Sequence, residues 1–187
     1  MKCTFEHICD QANMLKRKYA ETDPFRLCKD LKIKRLFIPM GIGPECCKGF
    51  FLQQSRIKCI TINSDLSHHL QRIICAHELG HAILHKDKTG ISAFHDFALF
   101  DSVSSLEYEA NIFAAELLLE DDDVLSNLNA EQSFFQAASA LSVPAEILDF
   151  KFRTLKWKGY KVIDAPLMSS GDFLKNVADA GGFDSVC

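Results

Sequence analysis

Residues 72–85 read RIICAHELGHAILH, and the rest of the chain is interpreted outward from this stretch. Apolar residues recur at helical spacing over about 67–85, which predicts one amphipathic helix. His77 and His81 are four residues apart, so on a helix both imidazoles lie on one face and can reach a single metal ion. Glu78 follows the first histidine and is placed to reach a water molecule beside such an ion rather than the ion itself. The stretch therefore predicts a helix that carries two metal ligands and a carboxylate base.

This H-E-x-x-H pattern is typical of zinc metalloproteases, whose catalytic zinc needs a third protein ligand and an open position for water. The next strong helical pattern, over about 104–119, offers Glu107, Glu109 and Glu116. Glu107 and Asn111 are four residues apart and can share a helix face, whereas Glu109 points elsewhere. Spacing by itself leaves the choice between Glu107 and Glu109 open.

Two blocks of sequence, 72–85 and 107–118, together resemble the ImmA/IrrE family of metallopeptidases. The second block reads EYEANIFAAELL, and the family pattern is R-F-t-x-A-H-E-x-G-H-x-x-L-H followed by E-x-x-A-N-x-F-A-x-x-L-L. The resemblance implies a zincin-like domain, and it selects Glu107 as the third zinc ligand beside His77 and His81. The chain departs from the pattern at three positions that are neither ligands nor the base: Ile73, Ile74 and Glu120.

The resemblance also implies an activity and a substrate. Members of the family act on helix-turn-helix transcriptional repressors, often encoded beside them in mobile elements or stress-response operons, and cleavage relieves repression. We therefore expect a zinc-dependent endopeptidase, with Glu78 as the catalytic base, acting on a protein substrate of that kind.

The alternative is a non-catalytic regulatory protein that binds a repressor or DNA through its C-terminal helices. A phosphate-binding patch would need clustered basic residues. Five such residues lie in this region: Lys151, Arg153, Lys156, Lys158 and Lys161. The whole chain has 21 Lys and Arg against 25 Asp and Glu, a net charge of −4, which argues against direct binding of nucleic acid.

The remaining pattern predicts an α+β fold in which a small, largely antiparallel sheet packs on helices. Strands are expected over about 33–38, 49–53 and 56–62, and the edge of the second is a candidate for binding substrate by strand addition. Two helices are expected before the sheet, and the second begins with Asp23 as its N-cap and Pro24 in its first turn. Further helices are expected after the metal site, ending in a helix-turn-helix-like pair. We divide the chain into three parts: a metallopeptidase domain (1–128), a small helical region (129–160) and a C-terminal tail (161–187). From residue 164 onward we expect the tail to be loosely ordered, apart from a helix over about 173–178.

Several other residues near the site have two interpretations each. His85 is four residues beyond His81, but one helix rarely supplies three ligands to one ion, so packing or hydrogen bonding is the favoured role. Asn111 is interpreted either as a hydrogen-bond partner of a metal-site residue or as a helix-packing residue. Residues 86–103 form a loop or an irregular hairpin and are a candidate gate, within which His95 is either a transition-state donor or an ordinary loop residue. The three acidic residues of 121–123 are expected to begin a solvated helix rather than to bind metal.

Composition sets the expected compartment and class. Hydrophobic residues make up 48% and charged residues 25% of 187 residues, as in ordinary globular domains. The 8 cysteines include no C-x-x-C pair, which argues against a zinc ribbon or a thioredoxin-type site. The N-terminus lacks the apolar stretch of a signal peptide, and no run is long enough for a membrane helix. We therefore expect a cytoplasmic protein.

Overall fold

The computed structural model describes residues 4–43, 46–85, 102–128, 133–162, 164–169 and 171. It has an α+β fold, as the sequence predicts. The elements follow in this order: α1 (Phe5–Tyr19), α2 (Pro24–Asp30), β1 (Lys34–Ile38), β2 (Gly49–Gln54), β3 (Ile57–Asn63), α3 (His68–Leu84), α4 (Ser102–Leu118), α5 (Asp121–Asn127), α6 (Phe134–Ala140) and α7 (Ala145–Trp157).

The three strands lie in the order β1–β3–β2, and one of the two strand pairs differs from the expected antiparallel arrangement. β2 and β3 pair antiparallel, as two strands joined by a short turn do. β1 pairs with β3 in parallel, with Leu36 opposite Thr61. The expectation of a largely antiparallel sheet is therefore wrong for β1. Parallel strands need a crossover connection of a dozen residues or more, and β2 with its flanking turns supplies it.

α3 lies between the sheet and α4, in close contact with both. On the sheet side, a Cβ atom on Gly49 would lie 2.5 Å from Ile74 Cγ2, so only glycine lets β2 cross the helix this closely. On the other side, a Cβ on Gly80 would lie 3.2 Å from Ala110 Cα and 3.2 Å from the Phe113 ring. The two glycines thus hold the helix with the H-E-x-x-H pattern tightly between its neighbours.

The helix starts follow from local capping. The Asp23 carboxylate accepts a hydrogen bond from Phe25 N at 3.0 Å, with Pro24 at the first position of α2, as the sequence predicts. Ser133 and Gln136 form a reciprocal capping box at the start of α6. α5 begins at Asp121, as expected, but that carboxylate binds two lysines instead of being only solvated.

α6 and α7 form the predicted helical pair, and α7 packs against α4. The basic residues that the DNA-binding alternative would need as a phosphate-binding patch mostly bind acidic partners among the described residues. Lys151 is fully buried between Glu116 and Asp121, at 2.8 and 2.6 Å, and Lys158 binds the same two carboxylates. The other two pairs are Arg153 with Asp149 and Lys156 with Asp164.

Ser169, in the described part of the tail, is hydrogen-bonded to α7. Ser169 N donates to Asp149 Oδ2 at 3.0 Å, and Arg153 Nη2 donates to Ser169 O at 2.9 Å. Residues 86–101 of the expected gate at 86–103, with His95, lie outside the described residues, and so does the expected helix over 173–178. None of the helices in the described ranges has both the length and the apolar character of a membrane span.

Candidate metal centre

α3 and α4 bring three ligand atoms together in the interior. His77 Nε2 lies 3.1 Å from His81 Nε2, since residues four apart stand above one another on α3. Glu107, from α4, places Oε2 3.0 Å from His77 Nε2 and Oε1 3.3 Å from His81 Nε2. All three residues are buried, and they are the one group of three or more potential metal ligands among the described residues.

The triangle formed by these atoms fits a tetrahedral cation. Ligands at zinc distances of about 2.0–2.1 Å stand roughly 3.3 Å apart along a tetrahedral edge. The observed separations are close to this: 3.1 Å between the two Nε2 atoms, and 3.0 and 3.3 Å from them to the two oxygens of Glu107. The donor set, two imidazole nitrogens and one carboxylate, is of the kind found at catalytic zinc. Two imidazole lone pairs facing each other at 3.1 Å are also unfavourable unless a proton or a cation lies between them. The chemistry and the spacing both suit a divalent metal ion.

The outer nitrogen of each histidine has its own partner. His77 Nδ1 lies 2.7 Å from Asn111 Oδ1, and Asn111 Nδ2 donates to the Gly171 carbonyl at 2.7 Å. Of the two roles predicted for Asn111, the structure therefore shows the hydrogen bond to a metal-site histidine. That amide also connects the site to the C-terminal tail.

His81 has a different outer partner. His81 Nδ1 lies 3.0 Å from His85 Nδ1, and His85 Nε2 lies 3.0 Å from Glu109 Oε2. His85 therefore makes hydrogen bonds, which is the role favoured from the sequence. Glu109 does not face the triangle, so the rotation of α4 directs Glu107 toward the two histidines and Glu109 toward His85.

Burial and neighbouring charges shift the pKa values of the triangle in different directions. Burial lowers the pKa of His81 to about 4, despite a hydrogen bond to Glu107. Burial also disfavours charge on His77, but the hydrogen bond and negative charge of Glu107 more than offset this and raise its pKa. Burial likewise opposes the charge on Glu107, yet the two histidines hold the pKa of its carboxyl well below the usual range. Without a metal the cluster therefore keeps an anionic carboxylate beside neutral His81, while the raised pKa of His77 favours a proton there that must leave before its nitrogen can bind a cation.

Glu78 lies next to the triangle but is not part of it. Its side chain is only 8% exposed, and burial raises its pKa to about 7, partly offset by the nearby His77 and by a hydrogen bond from the Phe51 backbone. A carboxylate with a pKa near neutrality can both accept and release a proton at physiological pH. The contact with Phe51 also places the carboxylate beside β2.

The sequence did not predict the buried ion pairs of Glu116, near the opposite end of α4. Glu116 accepts hydrogen bonds from Lys151, Lys158 and Asn13. The two lysines are 35 and 42 residues away along the chain, so no local spacing could reveal the pairing. The position of His85, one helical turn beyond His81, was a signal for its hydrogen-bonding role. Its carboxylate partner, Glu109, could not be identified from spacing.

Comparison with known proteins gives the same assignment as the geometry. The sequence profile of the peptidase family described as IrrE N-terminal-like domain matches residues 28–153. The immunity region protein 2 of Bacillus phage phi105, itself uncharacterized, is 37% identical over 135 residues, which are 72% of this chain and 82% of the relative. Metallopeptidase ImmA of Bacillus subtilis (strain 168) is 35% identical over 94 residues, 49% of this chain and 53% of the relative. The chain therefore belongs to the ImmA/IrrE family of metallopeptidases.

Proposed function

We propose that the protein is a zinc-dependent endopeptidase in which His77, His81 and Glu107 bind the metal and Glu78 is the catalytic base. One observation carries the proposal: the buried Nε2 atoms of His77 and His81 lie 3.1 Å apart, and each has an oxygen of the buried Glu107 carboxylate 3.0–3.3 Å away, a spacing that suits a zinc tetrahedron. The fourth position is then available for water and substrate. Family membership supports a divalent metal, and the nitrogen-rich donor set favours zinc over magnesium or calcium.

The metal supplies Lewis acidity, which polarises the scissile carbonyl and makes a nearby water easier to deprotonate. Glu78 then accepts a proton from the attacking water and passes it to the leaving amine as the peptide bond breaks. The pKa of about 7 suits both steps, since the group gains and loses a proton at little cost near neutral pH. Burial of Glu78 causes this pKa and is therefore part of the proposed mechanism.

The substrate is proposed to bind as an added strand along β2. Among the described strands, β2 pairs with β3 alone, so its second edge is available to a peptide. The hydrogen bond from the Phe51 backbone to Glu78 supports this site, because it puts the edge of the strand beside the proposed base. A peptide held there in extended form would have its backbone close to the ligand triangle.

We infer that the substrate is a helix-turn-helix transcriptional repressor, and that cleavage relieves repression of mobile-element or stress genes. Resemblance to the ImmA/IrrE family supports this substrate class. A cytoplasmic location follows from the same proposal, because repressors act there. The catalytic unit is proposed to be 1–128, which contains all four site residues, followed by the helical region 129–160 and the tail 161–187.

The test compares wild type with Glu78→Gln, both loaded with zinc, on the helix-turn-helix repressor encoded beside the gene. We expect wild type to cut the repressor and the variant to bind zinc equally well but to cut at least about 100-fold more slowly, since a general base contributes that much or more. Glu6→Gln makes the same chemical change at an exposed position of α1 and serves as the matched control. Products are identified by mass spectrometry.

Undiminished cleavage by Glu78→Gln would remove Glu78 as the base. If wild type binds the repressor stoichiometrically, releases it from its operator and leaves it intact, the endopeptidase proposal is wrong and a sequestering role replaces it.

A further inference from the structure

Resting on the metal site proposed above, we propose that His85 and Glu109 are positioning residues that hold His81 in the tautomer able to bind metal. The observation is a continuous line of contacts from the ligand triangle into the interior. His81 Nδ1 lies 3.0 Å from His85 Nδ1, and His85 Nε2 lies 3.0 Å from Glu109 Oε2. Neither His85 nor Glu109 belongs to the triangle of ligand atoms.

The direction of each hydrogen bond follows from the metal-facing nitrogen. His81 Nε2 points at Glu107 and His77, so this atom must keep its lone pair to bind a cation. The proton of neutral His81 then resides on Nδ1, which donates to His85. His85 Nδ1 must accept, and its own proton must therefore reside on Nε2.

Glu109 decides that last proton position. An ionised carboxylate only accepts hydrogen bonds, so its oxygen beside His85 Nε2 selects the form of His85 with the proton on Nε2. Both residues are at most 5% exposed, which limits competition from bulk water for these contacts. Ser105 Oγ also donates to Glu109 Oε1 at 3.4 Å and helps to orient the carboxylate. One carboxylate thereby determines which ring nitrogen carries the proton, first in His85 and then in His81.

The two metal-facing histidines are consequently supported in different ways. His77 donates to the neutral amide of Asn111, which continues to the backbone at Gly171. His81 donates to an imidazole backed by a carboxylate, which makes His81 a more basic and more firmly oriented ligand. Both ring nitrogens of His85 already have partners, so the residue supports a ligand and is not itself one.

The experiment measures zinc affinity at fixed pH, by competition with a chromophoric chelator, and records the visible spectrum of the Co²⁺-substituted protein. His85→Phe keeps a ring but offers no acceptor, and we expect it to weaken zinc binding about 10- to 100-fold. His85→Asn retains an acceptor near the position of Nδ1 and is expected to restore part of the loss. Glu109→Gln is expected to weaken binding by up to about 10-fold. His69→Phe, at an exposed position on the same helix, is the matched control and should bind as wild type.

A double variant separates positioning from general damage to the fold. Because Glu109 acts through His85, Glu109→Gln should cause no further loss in a His85→Phe background, and the Co²⁺ spectrum should change in both single variants. Zinc affinity of His85→Phe within about 3-fold of wild type, or independent losses that add in the double variant, would overturn the proposal. If circular dichroism shows His85→Phe unfolded, wild-type affinity in both His85→Asn and Glu109→Gln would overturn it. Failure of wild type itself to bind zinc would instead overturn the proposed function on which this inference rests.

Discussion

α4 carries a buried carboxylate cluster near each end, and the two clusters are balanced in different ways. Glu107 and Glu116 are nine residues apart, about 13 Å along the helix axis. Around Glu116 the balancing charge is built into the chain, since Lys151 and Lys158 bind it at 2.8 and 2.6 Å. Around Glu107 the neighbours are the Nε2 atoms of His77 and His81, which are the nitrogens proposed to bind a metal.

The difference separates a structural cluster from a binding site. A buried charge needs a partner of opposite charge, and Glu116 has two lysines at hand. Glu107 has Nε2 atoms of His77 and His81, which complete its coordination when a cation occupies the space among them. The same helix therefore uses one carboxylate to join α4 to α7, while another, Glu107, is a proposed ligand of the metal centre.

The largest expected effect is a loss of stability when the ion pairs around Glu116 are broken. Lys151→Met leaves Glu116 short of a partner in the interior, and we expect a loss of about 3–5 kcal/mol in the free energy of unfolding, measured with urea. Lys29→Met, at an exposed position of α2, is the control and should leave stability unchanged. A loss below about 1 kcal/mol for Lys151→Met would show that the cluster at Glu116 is not what holds α7 to α4.

The second expected effect is on the free energy of unfolding as pH changes, and it has opposite signs for Glu78, beside the ligand triangle, and for Glu116. Burial raises the Glu78 pKa from 4.5 to about 7, so in metal-free protein its contribution to stability falls as pH rises between these values and is unaffected below them. Metal-free Glu78→Gln should therefore be more stable than wild type at pH 8, by on the order of 3 kcal/mol, and equal to it near pH 4.

For the Glu116 carboxylate, the pH dependence of stability has the reverse sign. Burial opposes its charge, but Lys151 and Lys158 lower its pKa overall, so its contribution is present at neutral pH and is lost as pH falls through that lowered value. Urea unfolding across pH, with a chelator present, measures both dependences. A difference between wild type and Glu78→Gln that stays constant with pH would contradict the assigned origin of the Glu78 shift.

A smaller effect, on zinc affinity, is expected for Asn111, whose amide is hydrogen-bonded to Nδ1 of His77. Asn111→Ala removes the acceptor of the His77 Nδ1 proton and the link to Gly171, and zinc affinity should fall by about 10-fold. The amide of Asn127 donates only to a surface carbonyl, at Asp123, so Asn127→Ala should bind zinc as wild type. Equal affinity in the two variants would mean that the amide at 111 only packs α4.

The smallest effect is expected at an ion pair on the surface. Lys156 pairs with Asp164, which is almost fully exposed. Exposed pairs gain little because water screens both charges, so Lys156→Met should not measurably change the urea midpoint. A clear loss of stability would show that this exposed pair, like the buried Lys151 five residues earlier, contributes to holding the structure together.

Local patterns predicted much of the fold and of the candidate site. The H-E-x-x-H helix, the helix of Glu107, the capped start of α2 and the helical pair at the C-terminal end all occur near their predicted positions. Each depends on interactions within a few residues, such as helical periodicity or an N-cap. The parallel pairing of β1 was missed because pairing partners are selected by the crossover, not by the alternation of residues within a strand.

The sequence by itself determined that two imidazoles and a carboxylate, the proposed base, lie together on α3, because a helix brings residues three and four apart onto one face whatever surrounds it. Only the tertiary structure decided that Glu107 completes the triangle while Glu109 binds His85. That choice depends on the rotation of α4 about its axis, which the contact of Gly80 with Ala110 and Phe113 sets. The burial of Lys151 was likewise a tertiary outcome, since its charge is tolerated only where distant segments bring carboxylates to it.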